Sequence, residues 1–457
     1  MSSLSRPRLV LGALLLTGLA LAPGGAQAGD AENHDLAHAD HSPKGNTAVA
    51  YPLAQGVRHV AGDHAMTGGH SVVEGNRLYV GAYGAGMRIF DISKPQSPRQ
   101  IGSYLPGVRA DAVPDAAVLD GRHIATLNGT RRVTVTDLRT DRSDFLDVTD
   151  PANPKVLWTF VGTADGEAHN GDIVDERRTW FASGGAGLNG LRIYDLNTVL
   201  AATPSAPANL FRGNPGVLWE QSPYRKGRPV GAPFTHTHDI SIYTDYPVRQ
   251  ADGSIAKRDI ALLAEGGAYL DEAGNTGSMF VIDVTDPRNP VVLNRWLHER
   301  GADHHPIRYH HEAQFLDGDR SVILLADEDL HNGCGGAGGV TAVRVSEDLT
   351  EARELSEWFV PAGTPAPVCS VHVFSSQGSL AFLGSYNAGL QVVDYSNPAK
   401  PVQAGYNIQP GTTAWGATVH GEHVYVGDMA RGLDVYTLDD PELLLKLKLK
   451  PKPLKLP

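Results

Sequence analysis

Short runs of alternating apolar and polar residues recur along the chain, with the period of two that a half-buried β-strand requires. Met87-Arg-Ile-Phe-Asp91 and Leu390-Gln-Val-Val-Asp394 are two of them. Each ends at an Asp with prolines four and seven residues beyond it, Pro95 and Pro98 in one case, Pro398 and Pro401 in the other. The same spacing joins Asp147 to Pro151 and Pro154, and Asp283 to Pro287 and Pro290. Small polar residues after the Asp bond back to their own backbone, and proline offers no N–H to a ladder, so the strand stops and the chain turns. A new strand opens after the second proline, as in Val291-Val-Leu-Asn and Val402-Gln-Ala-Gly.

Weaker copies fill the gaps between the clear ones. Gly190 to Asp195 keeps the strand without the prolines, Val340 to Val345 keeps only the strand, and Gly432 to Thr437 is followed by Pro441. Upstream, Leu78 to Gly86, Ala381 to Gly389 and Val424 to Gly432 share a strand–turn–strand pattern, and a further strand precedes each. Four strands per unit and seven units predict an all-β chain, a seven-bladed β-propeller of four-stranded antiparallel blades spanning residues 57–442. Closing such a ring takes a strand from one terminus. Val57-Arg-His-Val60 fits that place, and so does the Leu/Lys alternation from Leu443 to Leu449, so residues 443–457 read as either a closing strand or a loose basic tail. Two insertions interrupt the body: a Pro-, Gly- and Asn-rich stretch from Ala201 to Phe234, and a hairpin extension from Tyr246 to Arg258.

The first residues change the picture of where this body works. Arg6 and Arg8 precede an apolar run from Leu9 to Ala22 that ends in Ala26-Gln-Ala28, the pattern of a secretory signal peptide over residues 1–28. The run is too short to span a bilayer, and no later stretch is apolar enough, so the mature chain is expected outside the cytoplasm, secreted or in a periplasm, with no membrane span. Residues 29–56, with His34, His38 and His41, read as a mobile segment. The net charge is −12; without the two leader arginines it is −14, and without the five lysines of residues 443–457 it is −19. So acidic a body repels phosphate backbones, which excludes nucleic acid and leaves a small molecule or a protein as partner for what reads as a monomer. The only two cysteines, Cys334 and Cys369, are expected to form a disulfide in an oxidising compartment. The competing reading takes Cys369 and His372 as half of a soft metal site.

The Asp-Val-Thr-Asp-Pro-x-Asn-Pro units resemble the LVIVD repeat family from about His70 to Pro441. That resemblance implies a secreted bacterial β-propeller and names no reaction.

Histidine placement carries the candidate chemistry. His169, His238 and His311 each stand four positions before an apolar residue, Ile173, Ile242 and Phe315, near the start of a unit's first strand. Equivalent side chains of first strands converge around a propeller's central channel, so these three are expected to face one another, with His70 and His372 as further ligands in a different register. With Asp239 and Glu312 as neighbouring carboxylates and candidate acid or base, the set suits a transition metal such as copper or zinc. Its placement resembles that of the selenium-binding protein and methanethiol oxidase family, propellers whose axial histidines imply copper. A ring of histidines bonded to neighbouring backbone, or a small-ligand pocket, are the other readings of the same residues. His304, His305 and His310 lie in a loop and read as surface residues. The glycine runs lack the lysine of a phosphate loop, there is no nucleophile elbow or His-Glu-x-x-His pair, and the Asp-rich turns are turn formers before they are calcium ligands. Two functions remain: a metal-binding propeller, with a metalloenzyme of unknown reaction as its extreme, or a non-enzymatic interaction module.

Overall fold

The computed structural model describes residues 49–65, 67–82, 86–105, 121–127, 132–137, 142–161, 170–174, 177–183, 190–227, 237–265, 278–298, 310–328, 334–336 and 338–448. The leader, most of the 29–56 segment, His169, His304, His305 and residues 449–457 lie outside them.

The chain is a β-propeller built from antiparallel sheets. The simplest blade runs β3 (Ser71–Glu74), β4 (Arg77–Ala82), β5 (Gly86–Asp91) and β6 (Arg99–Tyr104), hydrogen-bonded in that order. The proline-rich turns form as their composition dictates: Asp91, Asp147, Asp283 and Asp394 each accept the N–H two residues on, at 2.9–3.0 Å. Asp150 and Asp286 then accept from the side chains of Asn153 and Asn289, both at 2.8 Å. These bonds occupy the carboxylates as turn formers.

Where seven four-stranded blades were expected, the described residues form six sheets of four strands and one of five. In the five-stranded sheet, β23 (Phe374–Gln377), β24 (Leu380–Gly384), β25 (Leu390–Asp394) and β26 (Val402–Ile408) gain β1 (Leu53–Gln55), with Leu53 opposite Ile408 and Gln55 opposite Tyr406. The reason is an open edge: β26 has backbone groups to pair, and the end of the segment expected to be mobile covers them. Gly56, at φ +66°, then turns the chain from this sheet to the next.

Ring closure uses the N-terminal candidate. β2 (Val57–Asp63) pairs with β29 (Gly432–Leu438), from Val57 opposite Leu438 to Asp63 opposite Leu433, beside β28 (His423–Asp428) and β27 (Ala414–His420). The C-terminal alternation is neither strand nor loose tail at its start, because Pro441–Lys448 is a helix. With the edge already taken, Asp440 caps the first turn by accepting the Glu442 N–H at 2.8 Å. Leu443 and Leu447, four residues apart, then share one face and bury against Val57, Val424 and Tyr436.

The insertions are ordered where they are described. Residues 208–221 hold β14 (Ala208–Gly213) and α1 (Pro215–Gln221), whose cap Asn214 accepts the Gly216 N–H and whose Trp219 is fully buried. β15 (Thr237–Arg249) and β16 (Ile255–Glu265) pair out to Arg249 opposite Ile255, the expected hairpin extension. The core lies between neighbouring sheets: Ile260, Leu262, Met279 and Val281 of one pack on Phe315, Ile323, Leu325 and Val343 of the next. Each such side chain contributes about 1.5–3 kcal/mol by leaving water.

Candidate metal centre on the inner strands

The first strands of consecutive sheets approach one another: β15 touches β19 (His310–Leu316), β19 touches β23, and β23 touches β27. Four aromatic side chains from these four sheets form a continuous stack. The rings of His238 and His311 lie 4.0 Å apart, those of His311 and His372 3.8 Å, and those of His372 and Trp415 3.8 Å, each pair tilted by 45–49°. All four side chains are buried.

The backbone around them is pinned on every side. Thr237 Oγ1 donates to the Gly190 carbonyl at 2.7 Å and Ser183 donates to the carbonyl of His238, which ties the head of β15 to the preceding sheet. The His372 N–H donates to Gly384 at 2.9 Å, and the Val373 N–H to Trp415 at 3.1 Å. Val373 forms an isolated bridge with Gly416, and β23 begins only at Phe374. His372 therefore stands ahead of its strand, which is why its register along the sequence differs from that of His238 and His311.

Carboxylates flank the stack. Asp239 lies 2.9 Å from His238 Nδ1 and 3.4 Å from His311 Nδ1. Glu328 lies 3.8 Å from His311 Nε2 and 3.7 Å from His372 Nε2, and accepts the hydroxyl of Tyr386. Tyr386 adopts φ +42°, rare for a residue with a side chain, and is held there by reciprocal backbone bonds of 2.9 Å with Ala414. Burial, reinforced by the charges of Glu312 and Glu328, pushes the Asp239 carboxyl well above the usual range, against a hydrogen bond from Asn170. Burial likewise pushes Glu312 up to about 7. Glu312 turns toward the next sheet, where it accepts the Phe374 N–H at 2.9 Å, and it also accepts the side-chain amide of Gln314 on its own strand.

The ligand atoms of His238, His311 and Glu328 all lie within 4.8 Å of one another. Of the histidines singled out in the sequence, the fold thus brings together His238, His311 and His372, while His169 lies outside the described residues. His70 is half-buried just ahead of β3, its carbonyl accepting the Gly81 N–H at 2.8 Å, and desolvation lowers its imidazole to about 4. His310, expected at the surface, is buried as the first residue of β19, its ring 5.7 Å from Trp296 and 5.9 Å from His298. The loop reading failed because the strand starts earlier than the pattern suggested. Cys334 and Cys369 form a disulfide, so the Cys369–His372 metal reading is replaced: the sulfur is bonded, and the disulfide anchors the run leading to His372.

Sequence reasoning missed Glu328, Tyr386 and Trp415. Glu328 had one visible signal, since Asp327-Glu328 ends an unbroken apolar run from Val322 to Ala326. Tyr386 and Trp415 had none, because only the folded ring puts them beside the imidazoles.

No curated protein matches the chain in sequence. Solved WD40 propellers match it in fold: the RRP9 WD40 repeats at 10% identity, covering 85% of this chain and 99% of that one with a TM-score of 0.51. U3-55K matches at 11%, 84% and 98%, with a TM-score of 0.50. The β-propeller domain of Cps50 (Swd1) from Myceliophteria thermophila matches at 10%, 84% and 99%, with a TM-score of 0.51. Likeness at such identity is one of fold alone. The sequence family is narrower: residues 71–105 and 369–406 match the LVIVD repeat, the first covering one complete blade and the second the strands that follow Cys369, so the chain is a β-propeller carrying LVIVD repeats.

Proposed function

We propose that this chain is an exported β-propeller that binds one transition-metal ion through His238, His311 and Glu328, with His372 as the fourth side chain in reach. The observation that carries the reading is the convergence of buried imidazole and carboxylate donor atoms from neighbouring sheets within 4.8 Å. Imidazole with carboxylate is a donor set for zinc, copper or iron. The charge balance supports it too. Asp239, Glu312 and Glu328 are buried together, and clustered buried carboxylates oppose one another's ionisation unless a cation compensates them. Asp239, bonded to His238 and close to His311, orients both rings, as carboxylates behind metal-bound histidines do.

Export is supported by the leader pattern and the disulfide, and among the described residues no helix is long and apolar enough to cross a membrane. The test is metal content. Untagged protein is dialysed against copper(II) or zinc(II), then against buffer, and analysed by inductively coupled plasma mass spectrometry beside His311→Ala and Glu328→Gln. The wild type is expected to retain one equivalent more than either variant, with circular dichroism unchanged. No retained metal in the wild type, or equal retention in folded variants, overturns the proposal and leaves the stack a structural ring.

A further inference from the structure

The seam that closes the ring carries a second set of metal-ligating groups, separate from the buried stack. β2 presents His59, His64 follows it, and β29 presents Asp434. The Nε2 atoms of both histidines lie against the same carboxylate oxygen, Asp434 Oδ1, at 2.7 and 2.8 Å. The Asp434 side chain is 0% exposed, while those of His59 and His64 are 27% and 45% exposed, so the group opens to solvent on one side only. Gly62 makes the convergence possible. A Cβ there would come within 2.5 Å of His64 Nε2 and 3.0 Å of Asp434 Oδ1, in the space the three donors share. Arg431 holds the far side of the carboxylate, with Nε 2.7 Å from Oδ2; its Nη2 is 3.0 Å from Oδ1 and 3.3 Å from His64 Nε2.

We propose that His59, His64 and Asp434 form a zinc-class divalent metal site that staples the closing strand to the strand it completes. Two imidazoles and one carboxylate are a recurrent donor set for such ions, and here their ligand atoms lie within 4.8 Å of one another. Arg431 Nε keeps Oδ2 and fixes the plane of the carboxylate; the ion would take Oδ1 in place of the Nη2 contact at 3.0 Å. The exposed flank beside His64 gives the ion its way in and a place for water as a further ligand. The position explains the purpose. β2 comes from the opposite end of the chain from β29, so an ion bound to both strands is bound only when the ring is closed, and mass action then favours the closed form.

The experiment uses chelator-stripped, untagged full-length protein titrated with zinc(II) by calorimetry, in parallel with His64→Ala, His59→Ala/His64→Ala and His238→Ala/His311→Ala. The histidines of residues 29–56 are present in every protein and cancel in the comparison. His64→Ala is expected to weaken one zinc equivalent by at least about tenfold and the double seam variant to abolish it. The zinc-dependent rise in melting temperature should fall with it, while the His238→Ala/His311→Ala protein keeps both. Should the double seam variant fail to fold, His64→Ala alone decides, because His64 is exposed. Unchanged stoichiometry, affinity and thermal shift in His64→Ala overturn the proposal. That result is independent of whether the buried stack binds metal.

Discussion

At the scale of single residues, burial decides what the histidines do. His70 is half-buried, and desolvation of its cation lowers the imidazole from 6.5 to about 4. The folded state therefore holds this ring neutral at a pH where the unfolded chain already takes up a proton. With the folded value depressed for a base, its contribution to stability is intact above about 6.5 and is lost as pH falls toward 4. Two and a half pH units correspond to roughly 3 kcal/mol. His70→Gln, which cannot titrate, is expected to flatten the fall in stability between pH 6.5 and 4, measured by urea unfolding at a series of pH values. An equally steep fall in the variant would assign the acid sensitivity to other groups. His70 shows how little its letter in the sequence reveals: already in a different register from His238 and His311, it stands apart from their stack in the fold.

At the scale of elements, the helix that follows the last strand changes the view of the C-terminus. Its lysines and leucines alternate as a strand would, yet Leu443 and Leu447 bury on one face. Lys446 reaches Asp394, and Gln377 Nε2 donates to the Leu447 carbonyl at 2.6 Å. Two sheet-borne side chains, Asp394 and Gln377, thus hold the helix where a second closing strand would otherwise have lain. Leu447→Ala is expected to lower the unfolding free energy by about 2–4 kcal/mol, the range for a buried leucine, and chemical denaturation measures it. A change below about half a kcal/mol would show that the helix is not docked in solution. Alternation over so few residues fits both periods, and the choice fell to helix because β2 already pairs with β29.

At the scale of the whole molecule, the disulfide and the closing strand tie the ring at two different places. Cys334 and Cys369 enclose 35 residues of separation, and removing such a link typically costs about 2–4 kcal/mol by releasing the unfolded chain. Cys334→Ser/Cys369→Ser should lose stability of that order in denaturant, and dithiothreitol should lower the wild type to the same level. If reduction leaves the wild type unchanged, the thiols are not linked in the purified protein. The strands, their turns and the repeated blades were legible in the sequence, with the N-terminal closing strand as one of two candidates, because alternation and proline spacing are local and recur in copy after copy. So was the neighbourhood of His238 and His311, since equivalent places in equivalent repeats must meet. The fifth strand at Leu53, the helix at Pro441, the burial of His310, the inclusion of Glu328, Tyr386 and Trp415, and the seam of His59, His64 and Asp434 were decided by tertiary structure alone. Each of these depends on which edge is free or which side chains from distant strands share a space, and no local pattern of residues records that.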